Sequence, residues 1–548
     1  MNTDDLTLIE GHNSSRHDGG VAVWRRGKIY ALAAERVDRI KHSENSAAAY
    51  HYMITRLGRQ LDKRKVVDHF SPQYTPVQVI HHHLAHAASA FYPSPFKEAA
   101  VLVVDGMGPL TAGEFASTSL WVGKGNDLHP VTIVSDEYPC YRSLGHFYSG
   151  ITWYLGFNFF DVCHTMALSK YARPHNLHRA MQSLVWADRS PRLFDTDHDF
   201  IRFILYERFG DSFPNAPNAS WMDQRRRKYE SLLGPVRRPD APLTFAHCEI
   251  AAAAQAQLEA LLQHLFDFAY ETTGAPYLCY SGGVALNCVA NGTLFPRSHF
   301  KRVFVQPASD DSGQALGKLL YRLHSDFGME KRWTMDTASL GPEYTTREIR
   351  DALRRLDHSF KVSLLPRARM ATKVSRILAT GHPVAWFHGR SEFGPRALGS
   401  RSLLGDPRSI GITSEISARC KPREWYRPFA PSTLATSLPH VGSSGQPDPF
   451  MTRTVRLKER IRRMAAAVTA VDGTARLQIV PADHGAYAGL LKAFHAETGA
   501  PLLLNTSLNL PGSPIVESPR DALDLFLSST LRYIIIGRHL VERKSNES

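Results

Sequence analysis

The stretch Ala99-Ala-Val-Leu-Val-Val-Asp105, an unbroken apolar run that ends on a carboxylate, decides the fold. Its Val content and the Gly-rich segment behind it, reaching Gly113, predict a buried strand followed by a loop. Residues 119–122 and 131–135 predict two more strands, joined by a turn over 123–127. The same order opens the chain, with strand 6–9, polar loop 11–20, strand 21–24, turn 25–28 and strand 29–34. Two related half-domains are therefore expected, each beginning with a strand, a loop and a hairpin.

Downstream the period changes. Residues 249–273, containing Ala251-Ala-Ala-Ala-Gln-Ala-Gln-Leu-Glu-Ala-Leu-Leu262, predict a helix. Strand 276–280, the turn Ser281-Gly282-Gly283 and a helix restarting at Val284 follow. Strand 302–306, the segment Pro307-Ala-Ser-Asp-Asp-Ser-Gly313 and a helix from Gln314, with Leu316, Leu319 and Leu320 on its apolar face, complete an α/β crossover pattern. The chain is polar over 340–369, and helix 370–378 with strand 383–387 opens a new α/β unit, so a boundary is expected near Asp351 and the domains are 1–350 and 351–548. Residues 195–242 read as an insertion and 442–448 as a surface loop. Duplication with polar loops behind the first strands is the plan by which the actin, sugar-kinase and heat-shock ATPase fold grips nucleotide, and that α/β class is expected for 1–350.

At 548 residues the chain is too long for one ordinary core. Hydrophobic residues are 43% and charged residues 21%, close to globular averages, which excludes a largely disordered chain. The formal charge is +13, from 65 Lys and Arg against 52 Asp and Glu, which brings nucleic acid, a membrane surface and acidic small substrates into question. Arg225-Arg-Arg-Lys228 and Arg460-Ile-Arg-Arg463 lie among polar or helical residues and read as solvated faces; other arginines lie in Gly-rich turns that suit phosphate. Six cysteines with no C-x-x-C pair, several of them in apolar runs, fit a reducing compartment. The N-terminus has no signal-like region and no apolar run has bilayer length, so the expected location is cytoplasmic, with no membrane partner.

His82 and His86 stand four apart in a segment of helical character, His81-His-His-Leu-Ala-His-Ala-Ala-Ser-Ala-Phe91, and so share a face that can hold one metal; a polar stripe is the alternative. No Glu follows His82, so the zinc-protease pattern is absent. Asp105 and Asp311 each follow an apolar strand, at the carboxyl ends where α/β folds bind ligands, and each equally suits a turn cap. Two imidazoles with one or two carboxylates suit a first-row metal such as iron(II), which orients phosphates and polarises a carbonyl. Gly282 and Gly283, between strand and helix, allow phosphate to approach the backbone. Farther on, Gly394-Pro-Arg396-Ala-Leu-Gly-Ser-Arg401-Ser402 puts guanidinium groups in a Gly-rich loop. Lys421, Arg423, Arg427 and Arg476 continue the theme, and Asn505-Thr-Ser507 adds donors behind the apolar strand 501–504. Any one of these suits a structural role; together they predict an anion pocket.

In this order the segments resemble the tobramycin, cephamycin and nodulation O-carbamoyltransferases, and through them the tRNA threonylcarbamoyl enzymes. The resemblance covers nearly the whole chain. It rests on His82-His-Leu-Ala-His86-Ala-Ala-Ser-Ala-Phe91, Ser281-Gly-Gly-Val-Ala-Leu-Asn287, Glu392-Phe-Gly-Pro-Arg-Ala-Leu-Gly399, Asp472-Gly-Thr-Ala-Arg476 and Asn505-Thr-Ser507.

The resemblance implies an actin-like duplicated domain over 1–350 and a YrdC-like α/β domain over 351–548. The latter makes carbamoyl adenylate from carbamoyl phosphate and ATP, with magnesium accompanying the nucleotide. Arg396, Lys421, Arg427, Arg476, Asn505 and Ser507 match its anion-binding positions, and Arg396, Lys421 and Arg427 with His17 form the expected catalytic set. His82, His86, Asp105 and Asp311 match a site for iron(II) or another first-row divalent metal, and Ser281, Gly282, Gly283 and Asn287 a nucleotide-binding loop. His17, in Arg16-His17-Asp18, matches an acceptor-side position and is the candidate base; a satisfied loop histidine is the alternative. The acceptor is then a hydroxyl on a small natural product, an antibiotic or its sugar, and a homodimer is compatible with this reading. The competing expectation is a tRNA (threonyl)carbamoyl-adenosine enzyme, suggested by a pI near 9.4. Without a single-strand module of interleaved basic and aromatic residues, nucleic acid is not the expected partner.

Three departures from the family pattern stand out. Val162-Cys-His164-Thr-Met-Ala-Leu-Ser169 lacks the usual Lys two residues before its Met, Ala34-Glu35-Arg36 replaces Glu-Glu-Arg, and the segment from Gly106 to Glu114 is long.

Overall fold

The computed structural model describes residues 7–12, 17–57, 66–68, 80–111, 113–174, 177–188, 193–210, 216–330, 333–409, 411–443 and 446–544. Residue 6 of the first expected strand, residues 13–16 of the polar loop, 211–215 of the insertion and 444–445 of the expected surface loop lie outside these. The protein is mixed α/β and forms two compact units. One comprises Met1–Gln78, Asp310–Met329 and Thr334–Ser548, the other Val79–Ser309 and Glu330–Trp333.

The second unit is built on a five-stranded sheet in the order Arg302–Val305, Tyr277–Ser281, Glu98–Thr111, Glu114–Lys124, Asp127–Glu137. The first three strands run parallel and the rest form an antiparallel meander. Residues 99–105 are all buried, which explains why this strand reads as a continuous apolar run: both of its faces are covered. The segment expected as a loop behind Asp105 instead prolongs the strand to Thr111, with register shifts between Val104 and Gly108 and again between Pro109 and Thr111. Gly and Pro sit where bulges tolerate them, and that is why the sequence signal points to a loop. The long helix Phe245–Thr273 starts on a capping box made by Thr244 and His247 and stops at Gly274, whose φ of 62° lies in the left-handed region.

The insertion forms the strand Phe194–Thr196, paired with Val185–Ala187, and the helices His198–Phe209 and Ala219–Leu233. Its basic run pairs with acids of the same insertion, Arg225 with Asp199, Arg226 with Glu207 and Lys228 with Asp197. It is a solvated, neutralised face.

In the first unit a four-stranded sheet has the order Lys28–Ala33, Gly20–Arg25, Thr7–His12, Val66–Asp68. Its meander followed by a parallel strand on the far side of the first strand repeats the plan of the five-stranded sheet, so the echo in the sequence is an echo in topology. The same unit holds an eight-stranded sheet whose centre is Tyr533–Ile536, Val384–Phe387, Arg401–Gly405, Leu502–Ser507 and Ala430–Leu434. Arg367–Ala379 and Gly485–Thr498 pack on one face, around Trp386, Leu404 and Leu503. Ile412–Arg419 and Pro519–Ser528 cover the other, around Phe387, Leu403 and Leu504. Residues 505–507, expected just beyond a strand, belong to it. None of the six cysteines forms a disulfide, and no helix of the described residues is long and apolar enough to cross a membrane.

Candidate functional site

In the second unit the helix His82–Phe91 begins behind His81, whose imidazole accepts the backbone N–H of Leu84. Four-residue spacing then stacks His82 over His86, with ring centroids 4.8 Å apart. Both rings are buried, and they meet Asp105 at the point where its strand leaves the parallel part of the sheet. His82 Nε2 lies 3.0 Å and His86 Nε2 3.9 Å from Asp105 Oδ2. The other carboxylate oxygen accepts the backbone N–H of Gly283 at 2.8 Å. The ligand atoms of the three side chains lie within 4.8 Å of one another, and the set of two nitrogens and one oxygen fits a first-row divalent metal.

The residues around this cluster fix it. Ser281 Oγ lies 3.4 Å from His86 Nδ1. Gly282 adopts φ 88°, and a Cβ there would stand 2.3 Å from the carbonyl oxygen of Val104. A Cβ on Gly108 would fall 2.0 Å from Cγ of His82, so the prolonged strand supplies a bare backbone floor for that ring. The expected nucleotide loop thus packs directly behind the His and Asp cluster. Asn287 caps the helix Cys288–Leu294 and exchanges hydrogen bonds with Gln255. His83, between the two candidate ligands, is structural. The carbonyl of Ala116 can only accept, so Nε2 donates to it, while Nδ1 faces the Ser119 hydroxyl at 2.7 Å. Burial, then the neighbouring His82 charge, pulls its pKa down to about 3 and keeps it neutral. His164, in place of the usual Lys, stacks on Phe157 with centroids 4.4 Å apart.

In the first unit Asp311 opens the turn before the helix Gln314–Tyr321 and accepts a hydrogen bond from Gln314 at 2.9 Å. His17 Nδ1 lies 3.0 Å from Asp18 Oδ2 and 3.9 Å from Asp311 Oδ2. Asp18, at φ 53°, also pairs with His42 Nδ1 at 2.8 Å. Burial alone would raise the Asp18 pKa, but hydrogen bonds from His17 and His42 outweigh it and hold the carboxyl at about 2. His17 is thus held by a neighbouring carboxylate.

The expected anion residues all lie in this unit. Lys421 is 7% exposed, and its three N–H bonds reach the Ser507 carbonyl (2.9 Å), the Ser507 hydroxyl (2.6 Å) and Asn509 Oδ1 (2.6 Å). Burial first, then the guanidinium charges of Arg423, Arg427 and Arg476, push its pKa well below the usual lysine value. All three of its hydrogen-bonding directions are thus taken by these partners. Asn505 donates to the Ala397 carbonyl, to Ser432 and to Gln478, which ties the strand to the Gly-rich loop; its buried Oδ1 has no hydrogen-bond partner among the described residues. Arg401, expected with the anion groups, is fully buried. It donates to the carbonyls of Gly389, Ser400 and Glu517 and lies 3.7 Å from the centre of the Phe387 ring, so its role is structural. Sequence reasoning missed Glu392, which organises this loop from within. A lone acid at the head of a Gly-rich segment was the available signal.

Comparison with known proteins agrees with this residue pattern. The family description Carbamoyltransferase N-terminus matches residues 49–320, and Carbamoyltransferase C-terminus matches residues 375–543. Nodulation protein NolNO of Sinorhizobium fredii is 32% identical over 97% of this chain and 80% of its own length. The 3'-hydroxymethylcephem-O-carbamoyltransferase of Amycolatopsis lactamdurans is 32% identical over 63% of this chain and 65% of its own. The solved structure of HypF from T. kodakarensis aligns with a TM-score of 0.32 at 13% identity, over 58% of this chain and 47% of that one, too slight a likeness to bear on the fold. With both family regions present in order, and 97% of the chain matched by a relative 32% identical, the chain belongs to the carbamoyltransferase family of enzymes.

Proposed function

We propose that the chain is an ATP-dependent O-carbamoyltransferase acting on a hydroxyl of a small natural product. The observation that carries the reading is the buried polar cluster in which Lys421 bonds Asn509 and Ser507, the latter on the strand whose Asn505 is tied to the Gly-rich loop of Arg396. On this reading residues 351–548, a YrdC-like domain, bind carbamoyl phosphate and ATP through Arg396, Lys421, Arg427, Arg476, Asn505 and Ser507. Carbamoyl phosphate is hydrolysed to carbamate and phosphate; a carbamate oxygen attacks the α-phosphorus of ATP, and pyrophosphate leaves. Residues 1–350, an actin-like duplication, receive the carbamoyl adenylate. There the acceptor oxygen attacks the carbamoyl carbon, AMP departs, and His17, oriented by Asp18, takes the hydroxyl proton.

His82, His86 and Asp105, with Asp311 added by the family resemblance, would hold an iron(II) or similar ion. Such an ion supplies Lewis acidity toward phosphate or carbonyl oxygen. Holding the mixed anhydride inside the protein limits its hydrolysis. The cephem relative supports an antibiotic-type acceptor. Both basic runs pair with nearby acids, Arg225 with Asp199, Arg226 with Glu207, Lys228 with Asp197 and Arg463 with Glu459, which speaks against their being a nucleic-acid surface.

Purified protein with ATP and carbamoyl phosphate is expected to release pyrophosphate. Addition of extract from a producing cell should yield a metabolite heavier by one carbamoyl group in mass spectra. Absence of pyrophosphate release would sink the reading.

A further inference from the structure

The loop that carries Arg396 is gripped at both ends by buried charged side chains. Arg36, 2% exposed in the short helix Glu35–Asp38, donates through Nη2 to the carbonyls of Glu392 (3.2 Å) and Gly394 (3.0 Å). Glu392, equally buried, accepts on Oε1 the backbone N–H groups of Leu398 (2.7 Å), Ser400 (3.3 Å) and Arg401 (3.2 Å). Between these anchors Gly394 and Gly399 turn at φ 109° and 99°, and a Cβ on Gly399 would stand 2.3 Å from the Tyr487 ring. The backbone path through Arg396 is therefore set by its two anchors.

Arg36 has neighbours that work the same seam. Arg39 donates to the carbonyls of Pro514 and Ile515, both at 2.6 Å, and Arg390 reaches back to the carbonyl of Ile29 at 2.6 Å. A buried guanidinium is a poor way to gain stability alone, and Nη1 of Arg36 has no hydrogen-bond partner among the described residues. Arg36 meets no acidic side chain in these bonds; it meets the two carbonyls at the entry to the loop.

We propose that Arg36, contributed by the N-terminal sheet region, is a positioning residue for Arg396 in carbamoyl-adenylate formation. The inference rests on the reading that Arg396 binds the phosphate groups. A planar guanidinium can donate to two carbonyls at once, whereas a lysine ammonium offers a mobile point charge. Misplacement of a reacting group by about 1 Å costs on the order of a hundredfold in rate.

The test uses the full chain and measures carbamoyl-phosphate-dependent pyrophosphate release for wild type, Arg36→Met, Arg396→Ala and the double variant. Arg36→Met is expected to lower kcat/KM for carbamoyl phosphate roughly ten- to a hundredfold, and to add almost nothing once Arg396 is Ala. An unchanged circular dichroism spectrum and thermal unfolding midpoint should report an intact fold. Should Arg36→Met fail to fold, Arg36→Lys keeps the buried charge and is carried through the same four-way comparison. A rate within about twofold of wild type, or effects that multiply independently, overturns the inference while leaving the function standing. No pyrophosphate release by wild type overturns the function and the inference with it.

Discussion

The His and Asp cluster of the second unit and the cationic cluster of the first solve the problem of buried charge in opposite ways. Around Asp105, two imidazoles and a backbone N–H face one carboxylate, so the charge is answered within the cluster. Around Lys421, the charges of Arg423, Arg427 and Arg476 act on a buried amine whose direct partners are a carbonyl, a hydroxyl and an amide. The first arrangement suits a cation that shares ligands, the second an anion that offsets a surplus. On the proposed function the two clusters would then serve ligands of opposite charge.

The sharpest way to break this contrast is to remove His82 or His86. Either change to Ala is expected to reduce carbamoyl transfer by more than the roughly 10–100-fold that loss of a partner outside the ligand set produces, with pyrophosphate release unchanged. Equal loss in both assays would show that the two clusters do not act separately. The reciprocal change, Arg476→Ala, should lower pyrophosphate release on the order of tenfold or more, as expected for a charge-assisted bond, and leave iron(II) stoichiometry intact. Gly108→Ala is subtler, because a methyl group would intrude on the His82 ring and displace it. It should weaken iron(II) binding, read by metal content after dialysis, at a stability cost of about 1–3 kcal/mol.

The smallest effect concerns Asp18→Asn, which keeps a side chain tolerant of positive φ. The Asp18 pKa falls from 3.8 unfolded to about 2 folded, so its stabilisation is complete above 3.8 and disappears as pH drops through about 2. The His42 pKa is raised above 6.5: burial opposes this, but the hydrogen bond and charge of Asp18 prevail, so its share is present below 6.5 and is lost as pH rises through the raised value. The variant should therefore lose about 2 kcal/mol between those limits and less outside them, measured as Tm against pH.

Much of the fold is legible in the sequence because burial leaves a period. The run from Ala99 to Asp105, the helix ending at Thr273 and the strand before Ser281 all lie within a few residues of expectation. The helix spacing of His82 and His86 and the strand end at Asp105 also read directly, since local geometry alone brings the two rings together. What the sequence hides is set by partners far along the chain. Gly108 and Pro109 suggest a loop, yet pairing with Ala116 and Phe115 draws them into the sheet. Arg401 looks like its neighbour Arg396, but the Phe387 ring and three carbonyls bury it. Glu392 shows no periodic signal because its partners are backbone N–H groups, which no side-chain pattern encodes.

The interrupted path of the first unit bears on how the chain is born. Residues 1–78 leave the ribosome early, but the carbonyls that Arg36 and Arg39 must meet belong to residues beyond 390. At about 5–20 residues per second, those strands wait on the order of tens of seconds for their counterparts. The intervening stretch can meanwhile complete its own sheet as soon as Ser309 has emerged. The second unit can thus be complete before the flanking segments of the first unit meet.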